Sequence, residues 1–230
     1  CGNGDHIVSS RTIYGGTYAF LKNFVPRMGI KTTFVDITKL DVVEAAITPN
    51  TKVLYCETVS NPLLEVADIA SLAKIAKKHN IKLVVDNTFS PLSVAPTMDS
   101  LRSASVMKNM RTLHIRMKQH SHNAMYLANK FEADGIKTIY PGLASHPSHE
   151  IYKTMINPEY GFGGMMTIDV GSLDKANALM ELMQERNLGY LAVSLGFYKT
   201  LFSAPGTSTS SEIPLEEQAE MGLTDGLIRF

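Results

Sequence analysis

The run from Thr51 to Ser90, TKVLYCETVSNPLLEVADIASLAKIAKKHNIKLVVDNTFS, leaves this chain few ways to fold. Two short stretches rich in β-branched and apolar residues, TKVLYCET and KLVVDNT, flank an amphipathic segment. In that segment Ile69, Leu72, Ala73 and Ala76 share one helical face, and Lys74, Lys77 and Lys78 share the other. Asp68 is placed to cap the helix and Asn80 to end it. Strand, helix, strand at this length calls for a right-handed crossover between parallel strands. HIVSS and KTTFVDI add two more strands upstream, so the first half reads as α/β with a mostly parallel sheet. Leu83, Val84 and Val85 read as a strand interior buried on both faces.

The second half reads differently. One long helix is expected over MDSLRSASVMKNMRTLHIRMKQHSHNAMYLANKFEADG, with Leu101, Ala104, Met107, Met110, Leu113 and Met117 as a core-packing stripe. Beyond Gly135, glycine-punctuated pieces and a helix from Leu173 to Arg186 point to a smaller α+β domain. The expected division is a large domain over 1–112 and a small domain over 113–230. The chain opens on CGNGDHIVSS and stops at DGLIRF, both beside or within strands. It is therefore expected to be part of a longer polypeptide, with the small domain cut short at its end.

Twenty-two basic residues balance 22 acidic ones, which argues against nucleic acid or an anionic membrane as partner and for a small molecule. Two cysteines, Cys1 and Cys56, make neither a disulfide framework nor a metal cluster, as in a reducing cytoplasmic setting. No apolar run approaches the ~20 residues of a membrane span.

Ligands of open α/β sheets bind at the carboxyl ends of the strands. Asp86 sits at such an end, as a ligand contact or as a cap on the next turn. Asn61, in ETVSNP, is expected to close the preceding strand and meet Asp86 at the same edge. Tyr14, on the glycine turn of TIYGGTY, can approach that edge or lie in the core. Carboxylate, amide and aromatic face together suit a pyridine ring. The acid keeps the ring nitrogen protonated, the aromatic stacks, and the asparagine bonds the phenolic oxygen. Pyridoxal 5'-phosphate (PLP) is such a ligand.

The segments IYGGTY, ETVSNPLLEVADIASLAKIAKKHNIKLVVDNTFSP, YPGLASHPSHE, GFGGMMTID, AVSLGFYKTL and GLIRF resemble the cystathionine and methionine metabolism family of PLP enzymes. The resemblance implies the aspartate aminotransferase-like fold (fold type I) and a homotetramer built from dimers. It implies an amino-acid substrate, with Asp86 on the pyridine nitrogen and Asn61 on the ring oxygen. Tyr14 would stack on the ring and act as a catalytic proton carrier. It further implies that Arg229, in GLIRF, grips the substrate carboxylate in a fork lysine cannot reproduce, helped by Ser194 in VSLG. The activity implied is α,γ-elimination of methionine to methanethiol, 2-oxobutanoate and ammonia. Cystathionine γ-lyase and O-acetylhomoserine sulfhydrylase are the alternatives within the family.

Several family features are missing from the sequence. The Schiff-base lysine is one: SPLSVAPT runs directly into MDSLRSASVMKN, where relatives carry the lysine segment between those pieces. Lys108, the first lysine after Asp86, lacks the S-x-T-K context and is not assigned that role. A further segment is expected at the junction near Pro96 and Met98. Most phosphate ligands have no counterpart. Gly16 stands where many methionine γ-lyases carry a cysteine, which counts against a typical methionine site. Outside the family, a dinucleotide-binding protein is disfavoured because YGGTY is not G-x-G-x-x-G. A non-catalytic binding module stays open because no lysine is recognisable.

Overall fold

The computed structural model of the chain describes residues 1–89 and 100–230. The first part builds β1 (His6–Ser10), α1 (Gly15–Ala19), β2 (Lys31–Val35), α2 (Leu40–Ala45), β3 (Thr51–Glu57), α3 (Ile69–Lys78) and β4 (Lys82–Asp86). All four strands are parallel, in the order β2-β1-β3-β4, as their sequence pattern implies. α3 starts where Asp68 accepts the Ser71 backbone N–H at 3.0 Å. It is followed by Asn80 in the left-handed region, at φ 53°, where asparagine is tolerated better than most residues. Leu72 is buried in one cluster with Val8, Leu54 and Cys56, and Ala76 on the same helical face is buried too. Ala73, expected on that face, is exposed instead, and Ile75 takes the half-buried place.

β4 departs from expectation. It is the outer strand of the four, and Val84 is 43% exposed, while Leu83 and Val85 pack toward α3. A strand interior buried on both faces needs a cover on each, and among the described residues only one face of β4 has one.

The expected single long helix is two, α4 (Ser100–Met110) and α5 (Leu113–Ala133), parted by a turn at 111–112. Met107 is 66% exposed and Met110 is also exposed, so the methionine stripe is not core. The buried face of α5 is instead Ser121, Ala124 and Ala128. These are small side chains at helical spacing, which let α5 approach the second sheet closely. That sheet is antiparallel, in the order β5 (Lys137–Ile139), β6 (Thr167–Asp169), β9 (Leu227–Arg229). Around it lie α6 (His149–Met155) and α7 (Leu173–Glu185), then the parallel pair β7 (Tyr190–Leu191) and β8 (Leu201–Phe202), and α8 (Leu215–Met221). α5, α7 and this sheet enclose the largest core cluster, around Tyr140, Met166, Ile168 and Phe202. No helix among the described residues is long and apolar enough to cross a membrane.

The two sheets meet edge to loop. Leu63, from the loop after β3, packs with Leu223 and Leu227. The Gly15 N–H donates to the Thr209 carbonyl at 3.2 Å, and Glu217 of α8 accepts from Tyr18 and Lys22. The carboxyl ends of the parallel strands therefore face the segment that leads into β9.

Candidate active site

At this junction lies a cavity of about 260 Å³ lined by Tyr14, Glu57, Val59, Asn61, Asp86, Thr88, Phe89, Val193, Leu195, Thr209 and Arg229. Four of the five residues singled out in the sequence meet there: Tyr14, Asn61, Asp86 and Arg229.

Asp86 ends β4 in register with Glu57, which ends β3. The cap reading of Asp86 is the one the structure bears out. Its Oδ1 caps the following turn, accepting the Thr88 N–H at 2.9 Å and the Thr88 hydroxyl at 2.6 Å. Its Oδ2 accepts no hydrogen bond among the described residues.

Asn61 does not close β3, as its place in ETVSNP suggested; Glu57 does. Asn61 arrives four residues later, in a loop pinned by the Val59–Val66 bridge and followed by a cis peptide bond to Pro62. It is buried, with its backbone N–H donating to Glu57 Oε2 at 2.9 Å. Tyr14 immediately precedes α1. Its backbone N–H donates to Glu57 Oε1 at 2.8 Å and its ring is 49% exposed at the cavity. A side chain on Gly16 would put its Cβ 2.7 Å from the Tyr14 ring, so the bare glycine is what lets the ring lie where it does.

Arg229, on β9, is only 4% exposed. Its Nη1 donates to Asn61 Oδ1 at 3.1 Å and its Nη2 to the Val193 carbonyl at 3.4 Å. Burial lowers its affinity for its own proton, and among the described residues no carboxylate pairs with it. Among the described residues only neutral oxygens hold this buried guanidinium, an arrangement with charge left to satisfy. Thr209 adds a buried hydroxyl without a partner.

Ser194 is not part of this group. Its neighbours Val193 and Leu195 line the cavity, whereas Ser194 is exposed and lines an adjoining one of about 240 Å³. Among the described residues no lysine lines the main cavity. Lys199 lines the adjoining one and donates to the Tyr190 phenol at 3.1 Å. Lys108 lies on exposed α4. The junction at Pro96 and Met98 lies outside the described residues.

Glu57 is the residue that sequence reading missed. Burial, reinforced by the negative charge of Asp86, pushes its carboxyl up to about 7 even though two backbone N–H groups stabilise its ionised form. The available signal was an acid ending an apolar strand, the same signal that drew attention to Asp86.

Comparison with known proteins agrees with this geometry. The Cys/Met metabolism PLP-dependent enzyme family model matches residues 1–98 and 90–230. This chain belongs to that family. It is 37% identical to a methionine gamma-lyase of Arabidopsis thaliana over 283 residues, covering 100% of the chain and 64% of that protein's length. It is 34% identical to a cystathionine gamma-lyase of Bacillus subtilis, covering 99% of the chain and 72% of that protein. A crystal structure of cystathionine gamma-lyase from Lactobacillus plantarum, complexed with L-serine, superposes with a TM-score of 0.88 at 27% identity, over 100% of the chain and 72% of the other. The fold is thus the aspartate aminotransferase-like fold type I, and the cofactor of the family is pyridoxal phosphate.

Proposed function

We propose that the site serves a PLP-dependent carbon–sulfur lyase of sulfur amino acids, with α,γ-elimination of methionine to methanethiol, 2-oxobutanoate and ammonia as its reaction. One observation carries the reading. A buried cation shares one cavity with an exposed aromatic residue and a carboxylate oxygen, and among the described residues neither the cation has a carboxylate partner nor that oxygen a donor. An α-amino acid brought up to a protonated pyridine ring calls for all three: the cation for its carboxylate, the carboxylate for the ring nitrogen and the aromatic for the ring face.

The residues present fit the ring end of the cofactor and the carboxylate end of the substrate. When bound, pyridoxal phosphate supplies an electron sink for a carbanion at the substrate α-carbon. Asp86 would hold the ring nitrogen's proton through Oδ2, its other oxygen being fixed by Thr88. Tyr14 would offer its ring for stacking and its phenolic oxygen as the donor that protonates the departing sulfur. Asn61 would bond the ring oxygen, and Arg229 would take the substrate carboxylate in a two-point fork. Ser194 would contribute to that end from the adjoining cavity. In the assembled cavity the apolar walls from Val59, Phe89, Val193 and Leu195 would exclude water and strengthen each of these contacts.

Methionine is favoured by the likeness to a methionine gamma-lyase; the cystathionine lyases among the relatives make cystathionine the competing substrate. Gly16 fits a roomier pocket than a cysteine there allows. By the same family likeness we propose a homotetramer of dimers acting in the cytoplasm, with the division at 112–113 separating its large and small domains.

We further propose that the natural polypeptide carries an additional segment near Pro96 and Met98 that bears the lysine and the phosphate-binding hydroxyls. What supports this is the family match in two pieces, which end and restart within 90–98. In addition, the match to the methionine gamma-lyase runs over 283 positions against 230 residues here, leaving at least 53 without a counterpart. A non-catalytic binding module is the second reading, favoured by a cavity lining that holds no lysine among the described residues. The absorption spectrum after addition of PLP separates the two: a lysine-bound band supports the lyase, and the spectrum of free PLP alone supports the module.

A further inference from the structure

Glu57 bonds to two backbone N–H groups, one 43 and the other four residues away in sequence. Resting on the site reading above, we propose that Glu57 is its positioning residue. One buried carboxylate ties Tyr14, at the entry to α1, to Asn61, in the loop after β3, and through Asn61 sets the amide oxygen that Arg229 holds.

Both carboxylate oxygens are engaged, Oε1 by the Tyr14 N–H at 2.8 Å and Oε2 by the Asn61 N–H at 2.9 Å. These are backbone bonds, so they fix where the two residues start rather than where their side chains end. That matters most for Tyr14, whose phenol has no hydrogen-bond partner among the described residues; its placement comes from the backbone tie and from the open space at Gly16. The chain of contacts continues from Asn61 Oδ1 to Arg229 on the second sheet at 3.1 Å. A single side chain thus sets the spacing between the aromatic, the amide and the cation.

The geometry needs a carboxylate. Two N–H donors converge on two oxygens, and charge-assisted bonds of this kind are roughly twice as strong as neutral ones. A glutamine offers one oxygen and sets an N–H group against the other donor. Protonation of Glu57 has the same consequence, since a hydroxyl replaces one acceptor. Asp86, across the β3–β4 pair, bears on its charge, Tyr55 and Cys56 on its own strand are coupled to it, and Tyr14 and Arg229 line the same cavity. With its carboxyl pushed up to about 7, the tie is complete above neutrality and loosens below it.

The test is a pH titration of ¹⁵N-labelled, ligand-free protein, with Glu57→Gln beside the wild type. The Tyr14 and Asn61 amide signals should move together with one midpoint near 7, and E57Q should abolish that shared titration while keeping the fold. Pyridoxamine 5'-phosphate, which binds without bonding to a lysine, should bind E57Q about tenfold to a hundredfold more weakly. Independent midpoints, no titration, or unchanged affinity in E57Q would each overturn the proposal. If E57Q does not fold, the wild-type titration decides alone. Because that titration needs no cofactor, its failure counts against Glu57, whereas failure of the wild type to bind pyridoxamine 5'-phosphate counts against the site reading.

Discussion

Replacing Arg229 by methionine should separate stability from function. The guanidinium is 4% exposed and has no carboxylate partner among the described residues, so the fold carries much of the desolvation penalty of a buried ion, several kcal/mol by general experience. Against this, the side chain satisfies the buried Asn61 amide oxygen at 3.1 Å, and losing that bond costs about 1–3 kcal/mol. The larger effect is the charge, so Arg229→Met should leave thermal stability unchanged or raise it by about 1–2 kcal/mol. A gain of that size corresponds to a rise of about 2–8 °C for a chain of this size. Binding should move the other way. A charge-assisted fork to a carboxylate is worth roughly 2–4 kcal/mol, so methionine affinity should fall about 30- to 1,000-fold. Calorimetric binding of methionine to PLP-loaded protein, beside heat unfolding of the ligand-free protein, reads both. A variant that unfolds several degrees earlier yet binds methionine as before would make Arg229 a structural residue.

Asp86→Asn should nearly abolish elimination while leaving the fold intact, because an amide keeps the Thr88 turn bonds but no longer stabilises a protonated pyridine nitrogen; near-wild-type kcat would refute the assignment. Gly16→Ala should drive the Tyr14 ring off its present position, since the new Cβ falls 2.7 Å from it, and lower kcat more than stability; equal kcat with an unshifted ring in a crystal structure would contradict this. The Glu57 carboxyl titrates at about 7 when folded and near 4.5 when unfolded, so the folded state binds its proton more tightly. Its contribution to stability is therefore present below about 4.5 and is lost as pH rises toward 7, by roughly 3 kcal/mol in all. Denaturant unfolding across this range should show the decline in wild type and a flatter profile in Glu57→Gln; identical profiles would mean that Glu57 ionises freely.

The parallel half of the fold was legible because each strand is a compact apolar run and α3 carries both its stripe and its cap. The break at 111–112 was not, because no glycine or proline marks it and the apolar spacing continues from Met110 to Leu113. The stripe on α4 misled for a related reason: periodicity tells which residues share a face, not whether anything covers that face. The same limit applies to Val84 on the open strand β4. At the site, Tyr14, Asn61, Asp86 and Arg229 came together because each ends or follows a strand that the topology aims at one junction. Ser194 fell outside it through one step of alternation, with its two neighbours turned into the cavity in its place. Glu57 stayed hidden because its partners are backbone N–H groups 43 and 4 residues away, which no side-chain pattern records.

The role proposed for these residues is the ring and carboxylate part of a working PLP site. A decisive test treats the protein purified from its source with pyridoxal phosphate and borohydride, then measures intact mass and maps the labelled peptide. The mass should lie well above 25.3 kDa, with a single pyridoxyl-lysine in a peptide between SPLSVAPT and MDSLRSAS. A mass of 25.3 kDa with no labelled lysine, or a label on Lys108, would contradict it.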